Sequence, residues 1–344
     1  MTNGKMTKMG WGIVLLLIVV LSGCAKPAPT ATLTPVTTPA ATPTRELRAV
    51  TLAMGYIPNV QFAPFYVADE RGYYTKEGLE IEFDYGMETD LLKLVGIDEL
   101  QFVVGSGDQV ILARNQGLPV VYVMNWYRRF PVAVASLEPL DGPQDLIGKS
   151  VGIPGLYGAS YIGWQAMINA AGVNPADVNL LTIGYNQVES LVTEQVDAAV
   201  VYAMNTPVQL RQQGYEVSVI LVADYIDLVS NGLITNEQTI AQEPELVRRI
   251  VRATWHGLLD TLESTDEAFD TCRRYLPEID DESAPLQRAV LEESLNFWRA
   301  DKPGRSDPAA WEASQAFMRQ IGLIETEVDV STMFTNDFVK EPLP

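Results

Sequence analysis

Residues 101–125 read QFVVGSGDQVILARNQGLPVVYVMN. Positions 101–105 form a short apolar run of the kind a buried strand needs. Positions 108–117 carry helix-forming residues and stop at Gly117. Positions 119–125 return to a valine-rich run. Strand, helix and strand in so short a space mark an α/β unit. The same alternation extends in both directions. Upstream, 47–55 reads as a strand, 64–72 as a helix ended by glycine, and 79–85 (LEIEFDY) as an alternating strand. Downstream, strands are predicted at 150–153, 178–183 and 198–202, and helices at 160–171, 188–195 and 206–214. Beyond about residue 240 the pattern turns helical, at 243–262, 265–276, 283–298 and 308–321. No internal repeat is visible.

The loop-rich stretch LEPLDGPQDLIG at 137–148 separates two sets of these units. The second set closes near Val222, and 228–236 reads as a strand leading back out. The expectation is an α/β protein of two lobes, with a cleft between them and a helical C-terminal part. One lobe comprises 48–128 with 231–344, the other 129–230. One large continuous sheet is the alternative that the pattern leaves open.

The N-terminus carries Lys5 and Lys8, then IVLLLIVVL at 13–21, then Leu21-Ser22-Gly23-Cys24. The apolar run falls short of the roughly 20 residues a membrane span needs. Charge, short apolar core and small residues before a cysteine form a bacterial lipobox, so 1–23 is expected to be removed and Cys24 lipidated. The stretch 24–47 is rich in proline and threonine and reads as a semi-extended tether. At about 3 Å per residue it reaches on the order of 60 Å.

The 344 residues carry 24 Lys and Arg against 44 Asp and Glu, a formal charge of -20. Such a surface repels phosphate backbones, which excludes a nucleic-acid partner. One histidine, His256, and two cysteines, Cys24 and Cys272, exclude zinc fingers, iron–sulfur clusters and a disulfide framework. His256 sits inside a helical pattern and reads as structural. G-x-S-x-G and G-x-x-x-x-G-K-[ST] are both absent. No metal or cofactor site is expected.

The run Met54-Gly-Tyr-Ile-Pro-Asn-Val-Gln-Phe-Ala-Pro-Phe-Tyr-Val-Ala68 continues into Arg71-Gly-Tyr-Tyr-Thr-Lys-Glu-Gly-Leu-Glu80. With Phe102-Val-Val-Gly-Ser-Gly-Asp108, Gln116-Gly-Leu-Pro-Val120, Leu146-Ile-Gly-Lys-Ser-Val-Gly-Ile-Pro154 and Gln195-Val-Asp-Ala-Ala199, it resembles the NMT1/THI5-like (SsuA/THI5-like) solute-binding lipoproteins of ABC importers. The resemblance spans roughly 48–325. It implies a type II-like periplasmic-binding-protein fold, ligand capture without catalysis, and delivery to a permease with its ATPase. Pyrimidine-binding members usually carry Asp-Trp before the Pro-Asn and a histidine shortly after. Here Gly55-Tyr56 and Gln61-Phe62 stand in those places, a pattern more similar to the riboflavin-uptake branch. A formylated or hydroxymethylated aminopyrimidine is the alternative ligand. A THI5-like pyrimidine synthase is the alternative from another class, and the fungal enzymes' consumed histidine and cysteine-rich iron motif are not matched here.

Candidate ligand residues lie where loops should leave the carboxyl ends of strands. Tyr56, Asn59 and Phe62 follow the first strand, Ser106 and Asp108 open a helix after Gly105, and Trp126 follows the strand at 119–125. In the second lobe the candidates are Tyr157, Tyr185, Tyr202 and Asn205. Aromatic faces suit a flat heterocycle and neutral hydrogen-bonding groups suit an uncharged polyol. Each has a competing role: Phe62 in a helix core, Trp126 in interlobe packing, Ser106 and Asp108 as helix caps. Arg128 and Arg129 are adjacent on an extended stretch and point apart. The protein is expected to be a monomer, anchored by lipid on the extracytoplasmic face of the cell membrane.

Overall fold

The computed structural model describes residues 46–339; the lipobox, Cys24 and the Pro/Thr-rich stretch to Thr44 lie outside the described residues. The chain starts with β1 (Arg48–Met54), α1 (Ala63–Glu70), α2 (Tyr73–Lys76) and β2 (Leu79–Tyr85). It continues with α3 (Glu88–Gly96), β3 (Phe102–Ser106), α4 (Gly107–Asn115) and β4 (Val120–Asn125). It then crosses to β5 (Val132–Ser136), β6 (Ser150–Ile153), α5 (Gly158–Ala170), β7 (Asn179–Thr182) and α6 (Gln187–Val192). After β8 (Ala198–Tyr202), α7 (Thr206–Gln212) and β9 (Ser218–Leu221) it crosses back into β10 (Asn231–Asn236). Five helices follow: α8 (Glu237–Gln242), α9 (Pro244–Glu263), α10 (Thr265–Tyr275), α11 (Ala284–Trp298) and α12 (Pro308–Gln320).

Two five-stranded sheets result, ordered β2-β1-β3-β10-β4 and β7-β6-β8-β5-β9. The single-sheet alternative is thereby excluded. In the first, β1 runs parallel to β2 and β3, while β10 is antiparallel to β3 and β4. In the second, β6 runs parallel to β7 and β8, while β5 is antiparallel to β8 and β9. The two sheets share one plan: the antiparallel strand is the first one made after a crossing.

Burial follows from that plan. All five residues of β3 and of β5 are buried, because helices cover both faces of these inner strands. Edge strand β2 alternates, with Leu79 buried and Glu80, Glu82 and Asp84 exposed. Along β1 the alternation sorts Leu52 and Met54 into a core with α1 and α9, and Ala53 into a core with α3 and α4. No described helix is long and apolar enough to cross a membrane.

The sequence reading omits α2, α3, α8, β5 and β9, and runs α6 on to Gln195. Helix α6 instead stops at Val192, with Glu194 at φ 55° turning the chain. Strands β5 and β9 are short and lie against loop-rich stretches. Neither carries the polar alternation that marks an edge. The break between α8 and α9 falls at Glu243, immediately before Pro244, where proline disfavours helical backbone.

Candidate functional site

The carboxyl ends of β1, β2 and β3 converge. The Gly55 amide donates to the Val104 carbonyl at 2.9 Å, and the Gly86 amide to the Met54 carbonyl at 3.1 Å. The loops leaving these ends carry Tyr56, Glu88, Ser106 and Asp108. In the second sheet, loops after β6, β7 and β8 carry Tyr157, Tyr185 and Tyr202–Asn205. This is where α/β sheets place ligands.

Tyr56, Tyr157 and Tyr185 are 43%, 58% and 65% exposed, unusual for large rings of one cluster. The Tyr185 phenol is held above its ordinary pKa, first by burial and then by Tyr157, Tyr56 and Glu88. The Tyr202 phenol is pushed well above its ordinary value by burial, then by Glu88, Asp108, Tyr127 and Tyr185. Tyr56, Glu88 and Asp108, on the loops of the first sheet, lie within electrostatic reach of Tyr185 or Tyr202 on those of the second, so the two sets of loops approach each other. Tyr157, Tyr185 and Tyr202 stand on the second set, the opposite wall of the candidate cleft.

Glu88, the first residue of α3, is a candidate cleft side chain that sequence reasoning missed. It folds back over the strand ends, into space that only glycines leave. A Cβ on Gly105 would lie 3.0 Å from Glu88 Oε1, and one on Gly55 would lie 3.1 Å from its Cβ and Cγ. The backbone amide and hydroxyl of Ser106 both donate to Glu88 Oε1 at 2.6 Å. Burial, and then Asp108, push the Glu88 carboxyl up to about 7, against the pull of the Ser106 hydrogen bonds. Asp108 is almost fully buried. Its Oδ2 accepts from Gln109 Nε2 at 2.9 Å and its Oδ1 has no partner. Burial raises it to about 6. Neither residue caps a helix: the Ser106 side chain, at the N-cap of α4, bonds to Glu88 instead. The signal for α3 was present in Glu88 and Asp90 ahead of Leu91, Leu92 and Val95.

Phe62 and Trp126 are covered in this conformation. They stack on each other at 5.6 Å and 29°, and Phe65, Tyr127 and Trp298 close around Trp126. At exposures of 5% and 3% they pack against neighbouring rings in this conformation. Asn59 caps the turn Val60–Phe62, accepting from the Gln61 amide at 3.0 Å. Gln61, mostly buried, donates to Asn59 Oδ1 at 3.1 Å and to Asn205 Oδ1 at 2.9 Å, and accepts from the Tyr127 hydroxyl at 2.8 Å. Asn59 and Asn205 are thus joined through a glutamine that spans the two sheets' loops. Arg128 pairs with Asp227 at 3.1 Å and Arg129 with Asp224 at 2.7 Å, tying the outgoing crossing to the returning one.

His256 packs beside the rings of Tyr73 and Trp255, each at 5.2 Å. The Cys272 thiol is buried against the Val60 carbonyl, and burial pushes it up to about 12. Among the described residues no three His, Cys, Asp or Glu side chains are grouped to hold a metal. A groove of about 420 Å³ lies elsewhere, between α7 and α11, and its lining includes Arg211, Gln212, Glu292 and Glu293. It lacks the tyrosines and the strand ends, so the site is assigned to the cleft.

The model of the family described as NMT1/THI5 like matches residues 59–268. Riboflavin-binding protein RibY of Chloroflexus aurantiacus is 45% identical over 339 residues, covering 94% of this chain and 96% of that one. A formylaminopyrimidine-binding protein of Halalkalibacterium halodurans is 28% identical, covering 84% and 90%. Among solved structures, the periplasmic aliphatic sulphonate binding protein SsuA of Escherichia coli superposes with a TM-score of 0.69 at 12% identity. That match covers 85% of this chain and 99% of SsuA, and it establishes the two-lobed periplasmic-binding-protein fold.

Proposed function

Because the chain belongs to the NMT1/THI5-like family, we propose that it is the substrate-binding lipoprotein of an ABC importer, that it captures riboflavin, and that it hands this ligand to the permease. The observation that carries the reading is the set of exposed tyrosines, Tyr56 on the loops of one sheet and Tyr157 and Tyr185 on the loops of the other. Phenol rings on both walls offer faces to a flat heterocycle. The cleft residues Glu88 and Asp108 are acids, and none of those named there is Lys or Arg. A phosphate would meet like charge, so the flavin is taken without one. The name of the relative at 45% identity supports the choice of riboflavin.

In this reading the bodies that close are 48–128 with 231–344 and 129–230. Ligand contacts on both walls favour the closed population, which docks on the permease. No bond is made or broken and no cofactor is used. The protein acts as a monomer, held by a lipid on Cys24 at the extracytoplasmic face. Cys24→Ala should release it from membranes or leave it unprocessed. A membrane-bound mutant with a cleaved signal would sink the anchor.

Ring stacking should quench flavin emission, so titrating riboflavin with protein tests the ligand directly. Undiminished emission at micromolar protein, with calorimetric binding of an aminopyrimidine, would overturn riboflavin and leave the transport role standing.

A further inference from the structure

Three features of the cleft floor stand together. Glu88 occupies room left by Gly55 and Gly105, and only its Oε1 is engaged, by Ser106. Asp108 is 1% exposed, and its Oδ1 makes no well-formed hydrogen bond, although the Ser106 hydroxyl and its own amide lie close enough to favour its charged form. Tyr202 and Tyr185 of the opposite wall lie within the field of Glu88. A buried carboxyl oxygen without a partner is rare in a folded protein and is costly to leave so. Two acids seated at the strand ends hold acceptors that a ligand can engage once the loops around them part. We propose that Glu88 and Asp108 form a carboxyl pair that receives hydrogen bonds from adjacent hydroxyls of an uncharged polyol chain on the ligand. The inference rests on the cleft being the ligand site. It adds a specificity subsite distinct from the ring-stacking tyrosines. A vicinal diol suits it, because two neighbouring O–H donors match two separately seated acceptors.

Hydroxyl donors are held more strongly by ionised acids than by neutral ones. The groups facing the pair are each other and the phenols of Tyr185 and Tyr202, both held protonated near neutrality. Asp108, raised to about 6, and Glu88, raised to about 7, therefore lose protons when a polyol binds. Affinity should fall as pH drops through this range.

The test is a fluorescence titration of riboflavin, and of lumiflavin, which has the ring without the polyol. Wild type, Glu88→Gln and Asp108→Asn are compared at about pH 6, 7 and 8. Wild-type affinity for riboflavin should weaken roughly tenfold from about pH 8 to about pH 6. Each variant should bind roughly tenfold more weakly at the upper pH, with a flattened profile, and lumiflavin binding should be insensitive to both changes. A wild-type profile that is flat overturns the pair, and needs no variant to fold. So does lumiflavin binding that weakens as much as riboflavin binding. Wild type that fails to bind riboflavin at any pH sinks the vitamin reading instead.

Discussion

Replacing Glu88 by Gln should make the ligand-free protein more stable at alkaline pH, although it weakens binding. The folded-state pKa of Glu88 is raised from 4.5 to about 7, chiefly by burial. The native state therefore holds this proton more tightly than the unfolded chain does. Below about pH 4.5 both states are protonated and the site costs nothing. The cost grows as pH rises towards about 7, and above that it is complete. At about 1.4 kcal/mol per pKa unit the ceiling is on the order of 3 kcal/mol, and partial solvent access reduces it to about 1–2 kcal/mol. Glutamine keeps an Oε1 acceptor for the Ser106 amide and hydroxyl, so the variant removes the charge and retains the seat. Thermal melts of both proteins without ligand, at about pH 5 and about pH 8, should show the variant several degrees higher at the upper pH and a much smaller gap at the lower. A variant that melts lower at the upper pH, or a gap of the same size at both, would refute the account of a strained acid.

The other expectations concern walls and packing. Tyr157→Ala and Tyr185→Ala should each weaken riboflavin binding by roughly 2–10-fold, the worth of one aromatic contact, and leave the melting temperature in place. A titration matching wild type for both would remove the rings from the site. Gln61→Ala strips partners from the Tyr127 hydroxyl and from Asn205 Oδ1, and should cost about 1–3 kcal/mol in urea unfolding. An unchanged midpoint would mean that water replaces the amide. Gly257→Ala would set a methyl 2.0 Å from the Pro64 carbonyl oxygen where α9 crosses α1, so a loss of at least about 1–3 kcal/mol is expected. A fully stable variant would show that these helices separate freely.

The α/β character was legible because it is local. The VVGS of β3, the alternation of LEIEFDY in β2 and the glycine stop after α4 state their conformations within a few residues. The loop positions of Tyr56, Tyr157 and Tyr185 were legible for the same reason, since strand ends can be found from sequence. Which rings face outward was not, because facing is decided by partners remote in the chain. Phe62 meets Trp126, 64 positions later, and both turn inward. Glu88 was hidden for a related reason. Its neighbours in sequence mark an ordinary helix start. Its chemistry comes from Gly105 and Ser106 of β3 and from Gly55, just past the end of β1.

The sheet order also bears on how two such walls move together. Strands β5 and β10, the first made after each crossing, are inner strands of the sheets they enter, so both crossings are anchored by ladders on either side. The outgoing crossing is bound to the return strand as well, with the Trp126 and Tyr127 amides both donating to the Asn231 carbonyl. Rotation about this paired connector breaks no strand ladder. What holds the walls together on the cleft side includes the hydrogen bond from Gln61 to Asn205, and such a bond is worth only about 1 kcal/mol net. Apolar packing of α11 on α7 and of α4 on α5 joins the lobes as well, so the balance between open and closed forms is set by more than this bond. A ligand that contacts Tyr56 on one wall and Tyr157 or Tyr185 on the other gains two sets of contacts only when the cleft is shut. A differential affinity of a few kcal/mol is then enough to move most of the population into the closed form.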